Sequence, residues 1–112
     1  DNAVWCPMAD IYEDNDSFQL MMDVPGINKE DVKVSYQDHQ LIVSGERKQE
    51  QDTDNYKFHR VERNYGKFYR SFDLPEKIDE TNIKAEVDRG QLIVSIPKLE
   101  EQKEKAVNIK VK

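Results

Sequence analysis

Apolar and polar residues alternate along most of this chain. Phe18, Leu20, Met22 and Val24 share one parity, and so do Val32, Val34 and Tyr36. Phe68, Phe72 and Leu74 alternate with Lys67, Tyr69, Ser71 and Asp73, while Ile83, Ala85 and Val87 alternate with Lys84, Glu86 and Asp88. Leu92, Val94 and Ile96 form a further run, and Leu41-Ile42-Val43 is a short apolar block suited to a strand buried on both faces or at a sheet edge. A period of two sends successive side chains to opposite faces, so each stripe predicts a strand with one buried face. Val and Ile, at 10 and 8, outnumber Leu at 5, and β-branched side chains fit pleated surfaces better than helices. Turn residues separate the stripes at Asp14-Asn15-Asp16-Ser17, Pro25-Gly26, Gln37-Asp38-His39 and Asp88-Arg89-Gly90. The last of these predicts a three-residue hairpin loop with Gly90 in a left-handed conformation. Seven or eight strands at a spacing of roughly ten residues predict an all-β, antiparallel, immunoglobulin-like β-sandwich.

Two segments depart from the pattern. Residues 46–64 are rich in charges and amides, with one weak strand candidate over Tyr56 to Arg60. Acids and bases nearly balance there, which suits a disordered surface loop. Tyr56, Phe58 and Val61 instead give it apolar grip, which suits a strand lent to the open edge of another chain. Residues 98–105 read as a solvated tether. Beyond it, Val107, Ile109 and Val111 form a last stripe that is too small to make its own core. That stripe is either the final strand of the same sandwich or a tail that docks in a groove of another subunit.

Length and charge narrow the picture. At 112 residues the chain has room for one domain. A net charge of −6 and no basic stripe argue against nucleic acid, because phosphate neutralisation needs clustered cations. No apolar run approaches the roughly 20 residues of a membrane span, so no membrane partner is expected. The chain opens at Asp1 without a signal-peptide pattern and reads as a trimmed or processed fragment. The single cysteine, Cys6, has no internal partner, which points to a reducing compartment and a cytoplasmic location.

Catalytic chemistry finds no footing. The glycines are Gly26, Gly45, Gly66 and Gly90, a spacing that builds no phosphate-cradling loop. His59 with Glu62 is a poor metal site by itself, and His39 lies in a turn. Cys6 has no base near it in sequence and is expected to pack inertly. No enzyme activity, cofactor or metal is expected. Arg70 shares parity with Phe68, Phe72 and Leu74. It must therefore either snorkel to the sheet end or enter a buried or interfacial ion pair.

Five blocks in order carry a family resemblance. They are Trp5-Cys6-Pro7-Met8-Ala9-Asp10-Ile11-Tyr12-Glu13; Asp23-Val24-Pro25-Gly26-Ile27 with Glu30-Asp31-Val32-Lys33-Val34; and Leu41-Ile42-Val43-Ser44-Gly45-Glu46-Arg47. Glu62-Arg63-Asn64-Tyr65-Gly66-Lys67-Phe68-Tyr69-Arg70-Ser71-Phe72-Asp73-Leu74-Pro75 and Gly90-Gln91-Leu92-Ile93-Val94-Ser95-Ile96-Pro97-Lys98 complete the set. The chain resembles the small heat-shock proteins, the α-crystallin domain family, in its bacterial and archaeal form. Val107-Asn108-Ile109 or Ile109-Lys110-Val111 is similar to the family's aliphatic-x-aliphatic tail motif.

The resemblance implies an α-crystallin domain over residues 1–97, with a strand-exchange loop at about 46–64, followed by a tether and tail over 98–112. It implies an ATP-independent chaperone, a holdase that keeps non-native client proteins from aggregating. It also implies a homodimer formed by strand exchange, with an interface at Met8, Asp10, Tyr12, Tyr56, Phe58 and Arg70. Val32, Val34, Ile83 and Ala85 would line a groove that takes the tail residues Val107, Ile109 and Val111 and so builds higher oligomers. Only Asp1 to Val4 precede Trp5, so the family's N-terminal arm is expected to be truncated. The alternative is a co-chaperone adaptor on the same sandwich, which binds a folded chaperone.

Overall fold

The computed structural model describes residues 5–49, 54–74, 77–103 and 108–112. The described residues form seven strands: β1 (Ala9–Glu13), β2 (Ser17–Asp23), β3 (Val32–Gln37), β4 (Gln40–Arg47), β5 (Gly66–Asp73), β6 (Lys84–Asp88) and β7 (Gln91–Pro97). They make two antiparallel sheets, one ordered β1-β2-β7-β6 and the other β3-β4-β5. The all-β sandwich expected from the alternation is therefore the fold observed.

The stripes become the core. Phe18, Leu20 and Met22 of β2 pair in register with Ile96, Val94 and Leu92 of β7, and all six are buried. Leu41, Val43 and Phe68 of the other sheet are buried against them, with Val24 and Leu74 closing the ends. Gly45 is fixed by crowding. A Cβ there would lie 2.5 Å from the Asp31 carbonyl oxygen and 2.7 Å from the Phe68 ring, so only glycine lets the turn before β3 and that ring meet β4.

Two turns are tighter than expected. Asp88 pairs with Gln91, so the β6–β7 loop has two residues, Arg89 and Gly90, rather than three. Both have positive φ, 52° and 76°, the geometry whose twist matches that of the flanking strands. The β3–β4 loop repeats it without glycine: Asp38 and His39 take φ of 53° and 64°.

Four other expectations change. Tyr56 to Arg60 is not a strand, since it pairs with none of the edges its own chain leaves open, and a lone strand is not stable. β4 extends to Arg47, so the charged loop begins after a buried arginine and not at residue 46. Lys98 is not solvated tether: it bridges to Ile78, is 7% exposed, and its Nζ lies 2.6 Å from Glu13 Oε2. Finally, Cys6 is exposed, since Trp5 and Pro7 take the inward positions on either side of it.

Candidate functional site

The opening segment closes one side of the sandwich. Trp5 forms a parallel bridge to Phe68 on the free edge of β5, and their rings meet edge to face at 5.4 Å. The indole Nε1 donates to the Gly66 carbonyl oxygen at 2.9 Å. Four residues later the chain enters β1 of the other sheet. Arg70 locks this crossing by donating from Nη1 to the Pro7 carbonyl oxygen at 2.5 Å, with its guanidinium 4.8 Å from the Phe72 ring centre. Arg70 is half-buried and, among the described residues, has no carboxylate partner. Its charge is met by a peptide oxygen and a π face instead.

The opposite side stays open between β3 and β6. Val34 and Ala85 line two adjoining concavities of about 450 and 480 Å³. One also carries Val32, Val87 and Leu92, and the other Tyr36, Leu41 and Ile83. The structure thus places Val32, Val34, Ile83 and Ala85 along these two concavities. Sequence reasoning missed Val87 and Leu92 as groove residues, although Val87 shares the parity of Ile83 and Ala85. It also missed the charged rim of Lys29, Glu80 and Glu86. Ala85 is exposed while Val32, Val34 and Ile83 are half-buried, so the small side chain leaves a gap in an aliphatic wall.

A second open feature is the outer edge of β1. Among the described residues that strand pairs only with β2, and its apolar side chains are poorly covered: Ile11 is 40% exposed and Tyr12 52%. Met8, just before it, is 79% exposed, and Asp10 is exposed as well. The apolar residues of the charged loop, Tyr56, Phe58 and Val61, are exposed too and lie in no strand. Unpaired edge groups beside uncovered apolar side chains form a template for another strand.

The tail supplies the third element. Residues 108–112 form no strand, and Ile109 and Val111 are 83% and 89% exposed. Val107 lies outside the described residues. The tail is thus not a final strand of its own sandwich, and its described aliphatics do not occupy the groove of their own chain.

The match of this chain to the Hsp20/alpha crystallin family extends over residues 10–112. The chain belongs to that family. Its fold is the α-crystallin β-sandwich. It is 38% identical over 90% of its length to a 22.0 kDa heat shock protein of Arabidopsis thaliana, and 44% identical over 75% to a 22.7 kDa class IV heat shock protein of Pisum sativum. It spans about half the length of these relatives, 52% and 43% respectively. Heat shock protein 16.0 from Schizosaccharomyces pombe superimposes with a TM-score of 0.84 at 32% identity, over 97% of this chain and all of that one. The concavities between β3 and β6 and the bare edge of β1 are two places where this α-crystallin sandwich lacks cover.

Among the described residues, no group of three or more His, Cys, Asp or Glu is gathered to hold a metal ion. Nor is any helix among them long and apolar enough to cross a membrane.

Proposed function

We propose that this small heat-shock protein is an ATP-independent holdase that binds partly unfolded proteins and keeps them from aggregating. One observation carries the reading: the sandwich leaves aliphatic and aromatic side chains uncovered at β1, at the β3–β6 groove and in the tail, all at once. Such surface gains free energy by covering non-native apolar segments, at roughly 25 cal/mol per Å² buried, and needs no nucleotide to do so.

Self-association uses the same surfaces. The edge of β1 at Met8, Asp10 and Tyr12 receives a strand from a partner's loop around Tyr56 and Phe58, with Arg70 holding the segment that leads into it. The tail, through a pair drawn from Val107, Ile109 and Val111, fills the groove of Val32, Val34, Ile83 and Ala85 in a neighbouring dimer. Each aliphatic knob contributes about 1.5–3 kcal/mol on full burial, and much of that is offset by ordering the tail. Single contacts are weak, and many together hold an assembly whose subunits still exchange. The domain then ends after Lys98, and residues 99–112 serve as tether and tail. Its clients are non-native proteins, and a cytoplasmic setting fits the exposed Cys6. The adaptor reading gives the uncovered tail aliphatics no task.

The test is light scattering from a heat-labile client, without nucleotide and with this protein at near-stoichiometric ratio. Suppression of scattering supports the holdase. Undiminished scattering across a tenfold excess would remove it.

A further inference from the structure

The groove between β3 and β6 does not stop at the two concavities that share Val34 and Ala85. A third, of about 340 Å³, continues it past Tyr36 and Glu80, which border both it and its neighbour. Its apolar walls are the half-buried Tyr36 and Leu99 and the buried Ile78. The three concavities therefore lie in series. Along β3 and the hairpin after it, the first lies at Val32 and Val34, the second at Val34 and Tyr36, and the third at Tyr36 and Asp38. The facing wall steps backward through the chain, from Val87 and Ala85 to Ala85 and Ile83, and then to Glu80 and Ile78. Each step along β3 is two residues, a pitch of about 6.7 Å.

That pitch is also the distance between alternate side chains on one face of an extended strand. A segment laid along β3 thus drops one side chain into each concavity when its apolar residues recur at i, i+2 and i+4. Val107, Ile109 and Val111 recur at that interval, and Ile109 and Val111 are solvated. The exposed stripe of Tyr56 and Phe58 stops at two, because Asp54 precedes it and Arg60 follows. Charge agrees with the tail as occupant. The acids Asp38, Glu80 and Glu86 outnumber the bases Lys29 and Lys77 along the trough, and the tail brings Lys110 and Lys112.

We propose that the trough seats three aliphatic side chains and not two, and that its occupant is the tail of a second copy of this chain, with Val107, Ile109 and Val111 in the three concavities at once. This rests on the tail-in-groove reading of the function and adds to it a third seat, at Tyr36, Ile78 and Leu99. The second copy is the source because Ile109 and Val111 stay solvated beside the open trough of their own chain. The third seat makes docking selective. A segment with only two aliphatic knobs leaves it empty and forfeits that burial, so the trough favours the tail of its own kind.

The test takes as receptor the full chain carrying Ile109→Gly and Val111→Gly, which keeps its own tail out of the trough. The probe is a fluorescein-labelled peptide of residues 105–112, read by anisotropy. Val107→Ser and Val111→Ser in the peptide are each expected to raise the Kd about five- to tenfold, as for one valine losing most of its burial. Asn108→Ser is expected to leave it unchanged. Leu99→Ser in the receptor is expected to weaken the parent peptide and to cancel the penalty of one valine replacement but not of the other. The peptide variants leave the receptor untouched, so they stay decisive if Leu99→Ser does not fold. In the full chain, Val107→Ser and Val111→Ser should each shrink the assembly measured by light scattering. An unaltered Kd for either peptide valine, or penalties that Leu99→Ser does not touch, overturns the third seat and leaves two-knob docking standing. An assembly of unchanged mass in either full-chain variant overturns the second copy as source. No binding of the parent peptide overturns this proposal and the tail-in-groove reading together.

Discussion

Arg70 of β5 and Pro7 of the opening segment are joined by a hydrogen bond of 2.5 Å from guanidinium to carbonyl oxygen. The bond fastens the stretch of chain that crosses from the edge of one sheet to the edge of the other. Replacing Arg70 by Ala removes it together with the contact to the Phe72 ring. The expected loss is about 1.5–3 kcal/mol for the charged hydrogen bond and about 0.5–1 kcal/mol for the cation–π contact, both toward the low end because Arg70 is only half-buried. Urea unfolding reads the loss. Trp5 emission should shift to the red as its seat on Phe68 loosens. An unchanged urea midpoint with unchanged emission would refute the role.

Lys98 and Glu13 form a lopsided ion pair: the lysine side chain is 6% exposed and the glutamate 43%. Glu13→Gln leaves a buried ammonium with a weaker acceptor, so it is expected to destabilise by about 1–2 kcal/mol, below the 3–5 kcal/mol of a fully buried pair because water screens the glutamate. Lys98→Met should suppress that effect, since the 5.3 Å contact with Phe18 can be kept by an apolar side chain. A double-mutant cycle by chemical denaturation measures the coupling. Strict additivity would rule out the pair as a stabilising contact.

Gly45→Ala places a methyl group against the Asp31 carbonyl and the Phe68 ring. Neither can withdraw without moving the turn or the core, so a cost of about 1–3 kcal/mol or more is expected. A melting temperature equal to that of the parent protein would show that the turn gives way freely.

Ile109→Gly with Val111→Gly should leave the unfolding free energy of the sandwich within about 0.5 kcal/mol, since both side chains are solvated. The same change should shrink the assembly seen by light scattering coupled to size exclusion. An assembly of undiminished mass would separate these two residues from oligomer formation.

Asp14 governs part of the acid response. Its Oδ1 accepts the backbone N–H groups of Asp16 and Ser17, each at 2.8 Å, and these bonds, Asp16 first, hold its carboxyl below the ordinary 3.8. The folded value is the lower one. Its contribution is therefore complete above the unfolded value and disappears as pH falls through the folded one. Asp14→Ala should be less stable at neutral pH and should lose less stability than the parent between about pH 5 and about pH 2. Parallel pH curves for the two proteins would contradict this.

The alternation of Phe18, Leu20 and Met22, of Val32 and Val34, and of Leu92, Val94 and Ile96 determined where the strands lie and which faces turn inward. That information is local: a period of two assigns a face whatever partner arrives. The same parity drew Val34 and Ala85 toward one groove. What only tertiary structure decided were the contacts between distant parts of the chain. Trp5 with Gly66, Arg70 with Pro7 and Lys98 with Glu13 are separated by 61, 63 and 85 residues. Nothing local marks Arg47 or Lys98 as buried, because a charged residue at a strand end is exposed or enclosed according to what closes over it. Tyr65, Arg63 and Gly26 close over one, and Phe18 and Glu13 over the other. The Tyr56 to Arg60 stripe fails for the complementary reason. It has the composition of a strand, but a strand also needs an edge to pair with, and within its own chain this segment docks on none of the open ones.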